Sequence, residues 1–228
     1  MNIPSSVTDP LARRSIEYAD CIPNDHSSSG AFIARCYASG DRIGHCIWWL
    51  QDNGSEPVAN AIPLTESLVH SAGKTPVLIL ASIEGNANQN WPESSPFQQI
   101  VCENVGAGGK PVLLAVGMAG KAHWSATIEG DSMTEAIAMD IACRTAAAPE
   151  RLGSLYHVPT IWKATIVSNN SVLLEHPDGM SATIDSIGNA PLHFDAALRT
   201  LLIQPTIDAT HHQRGQTYRW RYVLRRSI

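Results

Sequence analysis

No stretch of this sequence approaches the ~18 consecutive apolar residues of a membrane-spanning helix. The start, MNIPSSVTDPLARRSIEYAD, also has no apolar run of the length a secretory leader uses. A soluble, cytoplasmic chain with no membrane partner is therefore expected. No two of the five cysteines (Cys21, Cys36, Cys46, Cys102 and Cys143) stand in a CxxC pair, and their number is odd. The plain expectation is reduced thiols and no metal site.

Specific catalytic and nucleotide motifs are missing too. Gly108-Gly109-Lys110 is followed by Pro111 and has no earlier glycine at the phosphate-loop spacing. Gly106-Ala107-Gly108 has no third glycine at the dinucleotide spacing. Neither a GxSxG elbow, an HExxH pair nor a calcium-loop pattern occurs, and no cofactor is expected. There is no excess of positive charge. With 16 Lys+Arg against 21 Asp+Glu the formal charge is −5, which argues against bulk nucleic-acid binding while allowing a local basic patch. No segment repeats at a fixed period.

What is present is alternation. Lys110 to Thr145 holds three strand-like runs separated by two turn clusters. Val112 to Val116 is continuously apolar, the pattern of a strand buried on both faces. From Lys121, Trp124, Ala126 and Ile128 fall on one side and His123, Ser125, Thr127 and Glu129 on the other. After Gly130-Asp131-Ser132, Ile137, Met139, Ile141 and Cys143 resume the apolar side, with Asp140 and Arg144 opposite. This predicts an antiparallel hairpin over a core, although the Ala- and Met-rich Glu135 to Arg144 also suits a short helix. Further strands are expected near 31–38, 43–50, 76–83, 97–103, 154–157, 161–167, 172–176, 182–187, 198–207 and 217–226, with a short helix near 64–72. The expected fold is all-β, a two-sheet antiparallel sandwich or jelly-roll-like domain with at most one or two short helices. It spans 30–228 behind a loosely ordered N-terminal arm, 1–29. The hydrophobic fraction of 44% supplies the core, in which Leu113, Leu114, Trp124, Ile128, Ile141 and Trp220 are expected.

Three clusters carry chemistry. A hairpin closing on Gly130 to Glu135 sets Ser125 opposite Asp140 with His123 one pair away. The candidate catalytic residues are thus His123, Ser125 and Asp140, with Glu129 as an alternative acid. The ordinary account is a solvated sheet face, which carries such residues anyway. Asp41 and His45 share a strand face but stand ~13 Å apart, too far for one metal ion. Trp48 and Trp49 put one indole on each side of their strand, and Trp91 sits in the long polar loop Asn86 to Pro96, a candidate ligand contact. At the C-terminal end, Tyr218, Trp220, Tyr222 and Leu224 face one way and Arg219, Arg221 and Arg225 the other. That arginine stripe fits phosphate or RNA, or an outer strand whose charges pair with acidic neighbours.

The stretches Asp41 to His45 (DRIGH), Ala122 to Ala126 (AHWSA), Met139 to Arg144 (MDIACR) and Tyr218 to Tyr222 (YRWRY) resemble segments of uncharacterised bacterial β-rich proteins of no known activity. The resemblance covers the middle and end of the chain and transfers no functional residue. The reading that results is a non-enzymatic binding module for a protein or small ligand. Its alternatives are a hydrolase or metal-dependent enzyme using His123 with Asp140 or Glu129, and RNA or phosphate binding through Arg219, Arg221 and Arg225.

Overall fold

The computed structural model describes residues 31–52, 74–84, 90–105, 110–131, 135–208, 210 and 213–227. The expected N-terminal arm and the expected helix at 64–72 lie outside them. Among the described residues there is no helix. Fourteen strands are β1 (Ala31–Ser39), β2 (Arg42–Asp52), β3 (Lys74–Ser82), β4 (Phe97–Val105), β5 (Lys110–Ala119), β6 (Ala122–Asp131) and β7 (Ala136–Thr145), then β8 (Ser154–His157), β9 (Lys163–Ser168), β10 (Ser171–Glu175), β11 (Ser181–Ile187), β12 (Leu192–Asp195), β13 (Thr200–Ile203) and β14 (Gln216–Arg226). Glu135 to Arg144 is thus strand rather than helix: alternation over a buried face outweighs the helix preference of Ala and Met.

Every pairing is antiparallel, and all strands join one hydrogen-bonded path, β12-β13-β8-β3-β2-β4-β5-β6-β7-β14-β11-β10-β9, with β1 on β2. The sheet curls until it is nearly closed, barrel-like, and β1 comes to lie across the interior from β6 and β7. The two separate sheets expected from the spacing are therefore one continuous sheet. Local alternation specifies hairpins, and it cannot reveal the β2–β4 bridge at Ile43 and Phe97 that joins the halves.

The interior is filled from both halves. Trp49, Trp124, Trp162, Trp220, Tyr156, Tyr222, Phe97 and Leu113 are among its largest fully buried side chains. Trp124 meets Trp220 edge to face at 6.0 Å, and Phe32 meets Trp49 at 4.8 Å. Ile128 and Ile141 are buried as expected, and Leu114 is half-buried. β5 is buried on both faces only near Val112, because its outer file opens to solvent toward Val116 and Met118.

β4 is bent by a bulge. Phe97 pairs with Gly117 and Gln99 with Val116, leaving Gln98 over. The Gln98 amide then replaces the lost ladder contacts: its Nε2–H donates to the Met118 carbonyl at 3.2 Å and its Oε1 accepts from the Met118 N–H at 3.1 Å. Gly117 permits the crossing, since a Cβ there would lie 1.9 Å from the Pro96 carbonyl oxygen. Beyond Ile100 every β4 residue is exposed. One of them, Cys102, is disulfide-bonded, which corrects the expectation of five reduced thiols; Cys36, Cys46 and Cys143 are buried and free.

Candidate functional site

In an antiparallel sheet, paired residues share a face, so the registers map the outer surface row by row. One row runs Val101–Leu114–Thr127–Asp140–Arg221–Ile187 across β4, β5, β6, β7, β14 and β11. The next is Gln99–Val116–Ser125–Ala142–Arg219, and the next Met118–His123–Arg144–Thr217. On the other side lies Glu103–Val112–Glu129–Ala138–Val223–Asp185.

This map separates the candidate catalytic residues. Asp140 stands opposite Thr127, and Ser125 stands opposite Ala142. The expected Ser125–Asp140 pairing is off by two residues, because β6 continues through Asp131, which pairs with Ala136. His123 and Ser125 are exposed on β6, and none of the three is hydrogen-bonded to another among the described residues. Asp140 is held instead by Arg219, whose Nε and Nη2 donate to its two carboxylate oxygens at 2.7 and 2.5 Å. That bidentate contact raises the affinity of the guanidinium for its proton still further.

The rest of the arginine stripe is largely neutralised in place. Arg225 pairs with Asp185 at 2.7 Å. Arg226 reaches Glu135 at 3.4 Å and lies over the Trp49 ring at 5.5 Å. Arg221 has Asp140 as its cross-strand neighbour. Trp91 is half-buried and packs against the core. Trp48 and Trp49 are both buried. Asp41 is exposed in a turn while His45 points inward, so the two do not converge.

Sequence reading missed the most chemically loaded cluster, which lies in the interior. His45 Nε2 and Tyr156 Oη share a hydrogen bond at 2.7 Å. Tyr156 also contacts Tyr222 Oη through a short hydrogen bond and donates to Met139 Sδ at 3.3 Å. Ser154 Oγ accepts from Trp220 Nε1–H at 3.0 Å. On the other side the His45 backbone N–H donates to Ser82 Oγ at 2.7 Å, and Ser82 Oγ–H donates to Glu84 Oε1. Burial lowers His45 to about 4 and raises Glu84 to about 7, the latter opposed by the Ser82 hydrogen bond and the nearby Arg42 charge. Burial also pushes both tyrosines well up. At neutral pH, His45 and the two phenols are uncharged. His45 is 4% exposed and Tyr156 0%, so these groups cross-link β2, β3, β8 and β14 and face no solvent. The alternation placed Tyr222 with Tyr218, Trp220 and Leu224 on one face of β14, but its meeting with His45 and Tyr156 depends on strand order.

What the outer surface does present is apolar. Val101, Val105, Val116 and Met118 are 49%, 51%, 47% and 46% exposed, and half-buried Leu114 lies directly between Val101 and Thr127. Val101, Leu114, Val116 and Met118 belong to adjoining rows of β4 and β5 and form one strip, while Val105 stands apart from it beyond Glu103. Exposed Glu103 and Glu129 flank it on either side of Val112, and neither has an ion pair among the described residues.

No family model matches this chain, and no curated protein does. Among solved structures it is similar to a mutant of the heparan sulfate lyase HepC from Pedobacter heparinus, with a TM-score of 0.47 and 10% identity. That likeness covers 87% of this chain and 35% of the lyase chain, so the chain spans about a third of that structure's length. It brings no residue role with it.

Proposed function

We propose that this protein is a non-catalytic binding module that takes a protein partner on the outer face of β4 and β5. The observation that carries the reading is the strip formed by exposed Val101, Val116 and Met118 around half-buried Leu114, contiguous apolar side chains on adjacent strands. Scattered exposed apolar residues are ordinary, whereas a contiguous group rimmed by polar residues marks a contact surface. Glu103 and Glu129 beside the strip favour a partner that offers apolar side chains flanked by a lysine or arginine. On this reading the curled sheet is a scaffold whose two halves pack as in a two-layer sandwich or jelly roll. Its buried His45–Tyr156–Tyr222 network holds the halves in register instead of acting on a substrate.

The test compares the wild-type chain with Val101→Asp/Val116→Asp as bait in native extract, followed by reconstitution of any captured protein in pure form. A purified pair whose affinity falls at least ~10-fold in the variant, with unchanged circular dichroism, supports the reading. Equal affinity of the two baits, or no captured protein that binds directly when pure, contradicts it.

A further inference from the structure

We propose that the chain forms a weak homodimer in which β9 of one copy pairs antiparallel with β9 of a second copy, continuing the sheet across a two-fold axis. β9 ends the hydrogen-bonded path, and β10 is its sole strand neighbour among the described residues. On its other side, every second residue turns a backbone N–H and C=O to solvent, groups that another strand satisfies. The side chains there are not those of a solvated rim. Ile166 pairs with fully buried Val172 and so belongs to the inner layer, yet Ile166 and the adjacent Val167 are both more than half exposed. The core is thus uncovered where the sheet stops. Lys163 is the only charge on β9, and Glu175 holds it at 2.8 Å.

The strand itself selects a second copy as the occupant. Paired antiparallel residues share a face, so a two-fold axis normal to the sheet must centre on one residue rather than between two. β9 keeps regular pairing with β10 from Lys163 to Ile166, and the bulge leaves Val167 over. An axis at Thr165 uses the whole stretch from Lys163 to Val167. It sets Thr165 opposite its own counterpart on the outer side, a favourable cross-strand pair. On the inner side it sets Ala164 of each copy against Ile166 of the other. Both isoleucines are then covered, small against large, and the layer of Val172 and Leu174 continues into the second molecule. Lys163 comes opposite Val167, so no like charges meet. The contact is self-complementary, as a closed dimer requires. The six residues of β9 fall far short of the roughly 20–30 a side in a standard interface, which makes the dimer weak and concentration-dependent.

Sedimentation velocity of the full chain between ~1 µM and ~1 mM tests this. The expected result is a shift toward dimer as concentration rises. Association should be at least ~10-fold weaker in Ile166→Lys/Val167→Lys, whose charges block edge pairing, and unchanged in Val101→Asp/Val116→Asp. Cysteine variants report the register even where the lysine variant fails to fold. Counterpart Cα atoms at Thr165 would stand about 4.5–5.5 Å apart, within the ~4.4–6.8 Å span of a disulfide. Those at Ser168 would be separated by roughly 20 Å along the strand. With oxidised glutathione taking up the two electrons and two protons, Thr165→Cys should cross-link into dimers and Ser168→Cys should not. A monomer throughout the range, a dimer equally strong in the folded lysine variant, a dimer lost in Val101→Asp/Val116→Asp, or Ser168→Cys linking as fast as Thr165→Cys would each overturn the proposal.

Discussion

At the scale of single residues, the interior network sets how the protein responds to pH. His45 is lowered by burial from 6.5 to about 4. The unfolded chain therefore binds the extra proton first, and the stability His45 contributes is lost as pH falls from about 6.5 toward 4. Glu84 works in the opposite sense. Its carboxyl is raised from 4.5 to about 7, so the folded chain holds the proton and stability is lost as pH rises through that window. Glu84→Gln cannot ionise. Its stability relative to wild type should rise between about pH 4.5 and 7 and stay level above, in urea titrations at fixed pH. A relative stability that does not change across the window would show that Glu84 is not held protonated. Tyr156→Phe removes the hydroxyl that serves His45, Tyr222 and Met139 at once. Leaving buried groups unserved costs about 1–3 kcal/mol for each one stranded, and the same titration measures it. His45 was singled out in the sequence for its spacing from Asp41. Its true partners come from strands more than a hundred residues away in sequence for Tyr156, a relation no local pattern carries.

At the scale of elements, the hairpins were legible and the irregularities were not. Trp124, Ala126 and Ile128 against Ile137, Met139, Ile141 and Cys143 give β6 and β7 their inward face directly. The pairing register within that hairpin was off by two, because the side-chain period of a strand says which face a residue takes and not where the turn closes. β12 was missed altogether: Leu192–Asp195 offers four residues, too few to establish a period. The β4 bulge left no trace either, since Gln98 reads as an ordinary polar strand residue. Its role predicts a measurable effect. Gln98→Ala removes two hydrogen bonds to Met118 and should cost roughly 0.5–1.5 kcal/mol in chemical denaturation, with the far-ultraviolet spectrum kept. Gly117→Ala is harsher, because its Cβ meets backbone at Pro96 that cannot move aside. It should destabilise by several kcal/mol (on the order of 3 or more). A Gly117→Ala protein as stable as wild type would mean that β4 does not cross β5 as described.

At the scale of the whole molecule, the outer face divides into a charged half and an apolar half. On β14, Arg219 and Arg225 are bound to Asp140 and Asp185, so replacing Arg219, Arg221 and Arg225 together by Ala should lower the melting temperature slightly. It should remove no salt-dependent RNA affinity; a log–log salt slope near −2 to −3 in the wild type, absent in the variant, would reverse that assignment. On β4 and β5 no ion pair is present among the described residues, and the apolar strip is where the proposed partner is expected. Amide hydrogen exchange of the chain with and without a captured partner tests this most directly. Protection confined to Gln99–Val105 and Val112–Met118 is the predicted result. Protection centred on β14, or on Ser82 to Glu84 and Tyr156, with β4 and β5 unchanged, would contradict it.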